Sequence, residues 1–573
     1  MTVQKIKLLT FNDYDYEDNT GEFLPCTERP YMVQMFGLNT TGESCSVLVT
    51  GFTPFFYVRV SDDWNVQHKQ KLVTEMYKHV KSKYFDNTIV KTTLIKRKKI
   101  YGFNAGKQCK FVRIDFVNQQ AMRKFKNLWY KYKTEERYIT TFKCCGFDTE
   151  LYEAQIPPLL RLFHIKNIKP SGWISIPLKH AIVTSNESTS CKYEITIDYQ
   201  RIMCDQENET RVPYKIASFD IEASSSHGDF PLAKKNYKKL AQDMVDVWND
   251  YEDSTAHKID NIIKTAFGFA FDPVFNVNMV YPMKPPTEKT LDGLIDKLHS
   301  TILQKDDTNL DDNEYFTDES DEEEGLENEP LLQDNPVEEN IYNRKKQKKI
   351  VHGVKITELL SSDTYDRDTK INTITNTLTC MFPPLRGDEV TFIGTTFWKY
   401  GDTEPYLNHC IVVGTCNDLK EVKNAVIDTY ATEKEAMLAW TQLITKEDPD
   451  IVTGYNIFGF DYPFMYARSK ELGITPEFLK LSRNANEICW KKDWKTGKTN
   501  IEENTIVIAS GQHDLKYIKM NGRLNIDMYN FFRRDYNLTS YKLDYVSGYF
   551  IGDYVKSITR ENGNTKVISK NLS

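Results

Sequence analysis

The stretch Tyr214-Lys-Ile-Ala-Ser-Phe-Asp-Ile-Glu-Ala223 constrains this chain more than any other. Apolar residues crowd it, and the turn-forming run Ser224-Ser-Ser-His-Gly228 follows. That pattern predicts a short buried strand running into a loop. Asp220 and Glu222 lie two residues apart, so on a strand both carboxylates point to one face. Burial disfavours their charge, and each disfavours the charge of the other. Hard Mg²⁺ or Mn²⁺ resolves both problems, because such ions prefer carboxylate oxygen. The competing reading is that one carboxylate faces solvent at the strand end, and spacing alone does not choose between the two.

The chain has 573 residues, enough for three or four domains and a large core. Its net charge is −7, but residues 306 to 339 hold 16 Asp or Glu and no Lys or Arg, so the remainder is net basic. A basic remainder suits a polyanionic partner. Residues 305–349 pass from this acidic run to Arg344-Lys-Lys-Gln-Lys-Lys349, with few apolar residues and no periodicity. Such a stretch cannot bury enough surface to offset ordering entropy, which predicts an acidic disordered insertion. The basic run fits either a nuclear address or a solvated counter-charge. Eleven scattered cysteines without a C-x-x-C pair, no basic and apolar leader and no long apolar run predict a reducing, intracellular setting without a membrane partner.

Residues 1 to about 60 alternate apolar and polar between glycines, as in a meander of strands. From Lys91 to Lys133 there are 13 Lys or Arg and one acidic residue, Asp115, with Tyr101, Phe103, Phe111, Phe125, Trp129 and Tyr130 interleaved. Basic residues among aromatics can bind single-stranded nucleic acid by charge neutralisation and stacking, and Lys96, Arg97, Lys98 and Lys99 are the densest cluster. The alternative is a solvated basic face over core aromatics, which the helical spacing of 121–133 favours. Tyr237 to Asp250 reads as a helix, and Ile263 to Met283 as a hairpin about Asp272-Pro273. Val390–Gly394 and His409–Gly414 read as neighbouring strands. Thr432-x-x-Glu435 is a capping box opening a helix with Ala436, Met437, Trp440, Leu443 and Ile444 on one face. Asp448-Pro449 stops that helix, and Asp450 to Asn456 is then a strand. Phe460-Asp-Tyr-Pro-Phe464 opens another helix, which Gly473 ends. Asp461 stands at this handover from strand to helix, as a simple N-cap or as part of a site. Chemistry in open sheets gathers at such strand ends. Asp220, Glu222 and Asp461 converging there would hold a pair of divalent ions for metal-assisted phosphodiester hydrolysis.

Phe219-Asp-Ile-Glu222 resembles the first exonuclease motif of family B DNA polymerases, and Asp448-Pro-Asp-Ile-Val-Thr-Gly-Tyr-Asn-Ile-Phe-Gly-Phe-Asp-Tyr-Pro-Phe464 resembles the second. Gly51-Phe-Thr-Pro-Phe-Phe-Tyr57, Tyr152-Glu-Ala-Gln-Ile-Pro157 and Ser171-Gly-Trp173 resemble the family's N-terminal domain. Gly522-Arg-Leu-Asn-Ile-Asp527 and Arg534 to Leu543 resemble the segment after the second motif. The similarity is greatest to delta-like polymerases, with Ser224 to Pro231 and the long insertion leaning to those of large DNA viruses.

The resemblance implies an α/β fold: a ribonuclease H-like exonuclease domain with a mixed central sheet over 213–573, preceded by an α+β N-terminal domain over 1–212. It implies that Asp220 bridges two Mg²⁺ or Mn²⁺ ions, that Glu222 binds the ion activating water, and that Asp461 holds the second. Asn456 and Phe460 would touch the 3′-terminal nucleotide. The implied partners are the single-stranded 3′ end of DNA, the template strand, the remaining polymerase portion and a sliding clamp. The implied setting is a host nucleus or cytoplasmic viral factory. The family's third exonuclease motif is a Tyr and an Asp four apart on a helix. Tyr549 and Asp553 have that spacing, but the glycine-flanked Gly548–Asp553 run reads as strand-like and the match as chance. No Tyr-Gly-Asp-Thr-Asp or Ser-Leu-Tyr-Pro of the palm occurs. The expectation is therefore the front portion of a polymerase, without palm, fingers or thumb. A free-standing 3′→5′ exonuclease and a non-catalytic DNA-binding scaffold are the competing functions. The first lacks its third motif, and the second does not explain three retained carboxylates.

Overall fold

A computed structural model of the chain describes residues 3–568 other than 18–23, 100–105, 134–135, 186, 226–227, 250–254, 304–352, 418, 421, 494–495, 509–510, 553–556 and 562–563. The insertion expected at 305–349 lies outside the described residues, as do Tyr101 and Phe103. The chain divides into two compact units. Met1–Ile221, Ile393–Pro463 and Ile474–Ser573 form the first, and Glu222–Phe392 with Phe464–Gly473 forms the second. Among the described residues no helix is long and apolar enough to cross a membrane.

The N-terminal part of the first unit carries two sheets. One has seven strands, in the order Ile182–Thr184, Tyr193–Asp198, Ser44–Thr50, Tyr31–Asn39, Val3–Asp15, Trp173–Pro177 and Met203–Asp205. The other has five, in the order Ile89–Lys98, Gln108–Phe116, Phe55–Arg59, Phe147–Tyr152 and Phe142–Cys144. Among the described residues up to 60 there are four strands, as expected, with a 3₁₀ turn at Cys26–Glu28, but Phe55–Arg59 leaves the meander and joins the second sheet. Tyr31–Asn39 does not alternate either; every residue in it is buried. Its Gly37 fits because a Cβ there would stand 2.2 Å from the Lys7 carbonyl oxygen. The expected helical run 121–133 is shorter than its spacing suggests. A helix covers Gln119–Lys126, a 3₁₀ turn covers Asn127–Trp129, and Tyr130–Lys133 is a strand.

A six-stranded mixed sheet organises the rest of this unit. Its order is Ala425–Tyr430, Leu407–Val413, Glu389–Lys399, Lys215–Ser224, Ile451–Gly454 and Leu524–Asp527. The last three run parallel. Ala217, Phe219 and Ile221 of the Lys215–Ser224 strand point inward, and Ser218, Asp220 and Glu222 are exposed between them. The helix Glu433–Glu447 covers the inner face, and the Thr432/Glu435 capping box is formed. Its Trp440 ring lies 5.0 Å from Phe219 and 6.1 Å from Phe478, while Trp440 Nε1 donates to Thr395 Oγ1 at 3.2 Å. Burial of a side chain the size of Phe219 contributes about 1.5–3 kcal/mol, so this aromatic stack fixes the strand from below.

The second unit is a helical cluster: Lys238–Val247, Thr255–Ala266, Glu288–Ser300, Ile356–Ser361 and Arg367–Met381 pack around Leu240, Met244, Ile262, Leu291 and Ile374. The hairpin expected over 263–283 is not there. The residues to Ala266 complete a helix, and among 267–283 only Pro282 makes an isolated bridge, to Leu385. Ile259, Ile262, Ile263 and Ala266 follow the helical period and are all fully buried, and this overrides the local alternation.

Candidate functional site

The strand Ile451–Gly454 hands over to the helix Asp461–Glu471 through a tight turn. Gly454 lets this strand approach the next: a Cβ there would meet Phe219 O at 2.6 Å and Ile457 Cγ2 at 2.4 Å. Asn456 sits in the left-handed region at φ 61°, and its carbonyl accepts from the N–H groups of Gly459 (3.0 Å) and Phe460 (2.9 Å). Tyr462 then bonds back to Ile457 O at 3.0 Å, and its ring packs 5.3 Å from Phe219. Asp461, 2 % exposed, is the first residue of the helix. Its Oδ1 accepts from Ile221 N at 3.2 Å, so it reaches the Lys215–Ser224 strand rather than serving only its own helix.

That contact brings Asp461 beside Asp220, and the two carboxyls act on each other's titration. Asp220 is exposed as a residue, yet burial of its carboxyl is the largest cause raising its pKa. Burial first, and the Asp220 charge second, push Asp461 up to about 8. Neither forms an ion pair with a Lys or Arg among the described residues. One proton held between two carboxylates is what an uncompensated acidic pair does near neutral pH, and a dication would replace it. Glu222, exposed two residues along the strand, accepts at its main-chain oxygen from Thr391 Oγ1 at 3.2 Å. The structure thus pairs two of the three expected carboxylates. Among the described residues no group of three or more His, Cys, Asp or Glu stands ready to hold a metal ion. The oxygen-only donor set, and the lack of a counter-charge for Asp220 and Asp461 among the described residues, nevertheless fit a hard divalent cation.

Asn456 and Phe460 both lie in the turn and are half-buried. On the exposed face of the Asp220 strand, Ile216 and Ser218 line an open cavity of about 350 Å³ with Thr396, Trp398 and Tyr400. The basic cluster sits on the edge strand Ile89–Lys98 of the five-stranded sheet. Lys96, Arg97 and Lys98 are exposed and make no ion pair among the described residues. Lys99 is engaged, 3.4 Å from Glu150 and over the Tyr152 ring at 5.4 Å. Phe111, Phe125 and Trp129 are buried core residues rather than surface stacking rings. Tyr549 lies on the helix Leu543–Ile551, not in a strand as expected. Gly552 ends that helix at φ 73°, and Asp553 lies outside the described residues.

Three further residues carry this region: Arg483 gives no sequence signal, and Arg523 and Asp527 stand in the Gly522–Asp527 run with no role marked there. Arg483 and Arg523, 1 % and 3 % exposed, clamp the start of the Ile451–Gly454 strand. Arg483 Nη2 meets Asp450 Oδ1 at 2.8 Å and its Nε meets Asp448 Oδ1 at 3.1 Å, while Arg523 Nη1 meets Asp448 Oδ1 at 2.7 Å. Asp527, at the end of the neighbouring strand, accepts from Asn456 N and Phe458 N at 2.9 and 3.0 Å.

The DNA polymerase family B exonuclease domain matches residues 149–267 and 338–546, more than half of the chain. The N-terminal domain of the DNA polymerase delta catalytic subunit-like family matches residues 51–123. A DNA polymerase of Phaeocystis pouchetii virus is 39% identical over 99% of this chain and 55% of its own length. One of Pyramimonas orientalis virus is 30% identical over 95% of this chain and 41% of its own. The DNA polymerase delta catalytic subunit of Candida albicans is 31% identical over 31% of this chain and 16% of its own. The chain thus spans about half the length of the first two relatives. With the paired Asp220 and Asp461 lying inside the matched exonuclease region, the chain belongs to DNA polymerase family B.

Proposed function

We propose that this chain is the N-terminal and proofreading portion of a replicative DNA-directed DNA polymerase. Its ribonuclease H-like exonuclease domain would hydrolyse the 3′-terminal phosphodiester of single-stranded DNA. The observation that carries this function is the meeting of Asp461 with the Asp220 strand, its carboxyl bonded to Ile221 N and, among the described residues, with no Lys or Arg paired to either aspartate. Two Mg²⁺ or Mn²⁺ ions held by Asp220, Asp461 and Glu222 would supply charge neutralisation and an acidified water. The chain's own residues do the rest. Ile221 N orients the Asp461 carboxylate, and the Phe219–Tyr462–Trp440 stack keeps the strand and helix that bear the pair in register. Asn456 and Phe460, held in the turn before Asp461, would contact the terminal nucleotide. A template strand, the rest of a polymerase and a sliding clamp are the further partners we propose, in a host nucleus or a cytoplasmic viral factory.

The test is release of 3′-terminal nucleotides from a labelled single strand in Mg²⁺ or Mn²⁺. Removing a group that binds or orients the reactants costs a factor of about 10² to 10⁴, and Asp220→Ala and Asp461→Ala should each show such a fall. An Asp220→Ala chain that releases nucleotides at the unsubstituted rate would contradict the proposal.

A further inference from the structure

Asp527 ends the strand Leu524–Asp527, opposite Gly454 in the parallel register, and is 3 % exposed. Its two oxygens accept four hydrogen bonds. Oδ1 takes Asn456 N at 2.9 Å and Tyr529 N at 2.9 Å, and Oδ2 takes Phe458 N at 3.0 Å and Asn530 Nδ2 at 2.9 Å. The bond from Tyr529 N caps the helix Met528–Asp535, and the bond from Asn530 Nδ2 is a side-chain contact within that helix's first turn. The other two serve no helix of their own. They cross 71 and 69 residues of sequence to the turn between Gly454 and Asp461. Asn456 there is left-handed at φ 61°, and the Asp527 carboxylate takes the N–H groups of Asn456 and Phe458 in that turn. The Asn456 carbonyl in turn carries Gly459 N and Phe460 N, and the next residue is Asp461.

We infer that Asp527 is a positioning residue of the acidic site: its carboxylate holds the 455–460 turn from the adjacent strand end, and so sets where Asp461 meets Asp220. This rests on the function proposed above. A cap alone would leave the acidic site indifferent to Asp527. A positioning role makes the metal affinity of that site depend on a side chain that does not itself reach the metal.

The experiment is calorimetric titration of the full chain with Mn²⁺ alone, alongside circular dichroism and thermal melting in chelator. Asp527→Asn keeps the shape but turns one of the accepting oxygens into a donor. Asp527→Ser keeps helix capping and is too short to bridge to the turn. Loss of a residue that orients metal ligands typically costs about 10- to 100-fold in affinity, and each variant should weaken Mn²⁺ binding by that order while circular dichroism shows it folded at the titration temperature. If Asp527→Asn does not fold, Asp527→Ser carries the test. Unaltered affinity in either folded variant overturns the inference, as does a lower fraction of binding-competent protein at unaltered affinity. Asp220→Ala is the reference: if it binds Mn²⁺ like the unsubstituted chain, the proposed function fails first, and the role of Asp527 falls with it.

Discussion

The two ends of the Ile451–Gly454 strand handle buried carboxylates in opposite ways. Before its start, Asp448 and Asp450 face Arg483 and Arg523, and the arginine charges hold Asp448 below its usual pKa in spite of burial. After its end, Asp461 meets another carboxylate and is pushed up to about 8. Burial is the largest single cause at both sites and acts in the same direction. The compensating cation decides the outcome, not burial. A carboxylate at the first end is finished within the chain. At the second end no Lys or Arg among the described residues pairs with it, and this end lies within the matched family B exonuclease region.

The sharpest way to break the comparison is to give the first end the deficit of the second. Arg483→Ala leaves Asp450 without its cation and Asp448 with one partner fewer. Removing one member of a buried pair costs about 3–5 kcal/mol, which urea unfolding should register. A loss under about 1 kcal/mol would mean that the anchor does not depend on Arg483.

The converse is to relieve the second end. A carboxyl whose folded pKa is raised holds a proton that the unfolded chain has lost. Its contribution is present below the unfolded value of 3.8 and is lost as pH rises towards about 8. In chelator, stability should therefore fall from weakly acid to weakly alkaline pH, and Asp461→Asn should flatten that dependence. At the alkaline end the variant should be the more stable by about 2 kcal/mol. Melting points of both proteins across that pH range check this. Parallel profiles would mean that Asp461 is not strained by Asp220. The smallest effect concerns the basic edge strand. Reversing Lys96, Arg97, Lys98 and Lys99 to Glu should reduce the salt slope of single-strand binding by about 0.7 for each phosphate that the edge strand no longer neutralises. Lys99 should contribute least, because Glu150 already engages it.

The same contrast explains how much could be read from the sequence. The Thr432/Glu435 cap, the buried face of the following helix, the Phe219–Asp–Ile–Glu222 strand and the start of the Asp461 helix are written locally, within a turn or two of chain. Arg483 was not legible, and the role of Arg523 was not, because they reach Asp448 from 35 and 75 residues away. Asp527 was visible only as part of a family resemblance; its bonds to Asn456 and Phe458 arise from strand order in the sheet. Two readings failed where local propensity met helical packing. Thr255–Ala266 buries four residues at helical spacing, and Leu543–Ile551 is helical despite its Tyr, Val, Phe and Ile. In the latter, Phe550 packs 4.8 Å from both Phe532 and Tyr536, and such contacts outweigh β-propensity.

The central claim is that the Asp220–Asp461 pair is a divalent-cation site, and proton-linked calorimetry tests it most directly. Mn²⁺ is titrated into the chain near neutral pH in buffers of different ionisation enthalpy. A shared proton must leave when the ion binds, so the account predicts saturable binding with proton release, both lost in Asp220→Ala. Mn²⁺ binding of equal affinity and equal proton release in Asp220→Ala would contradict it.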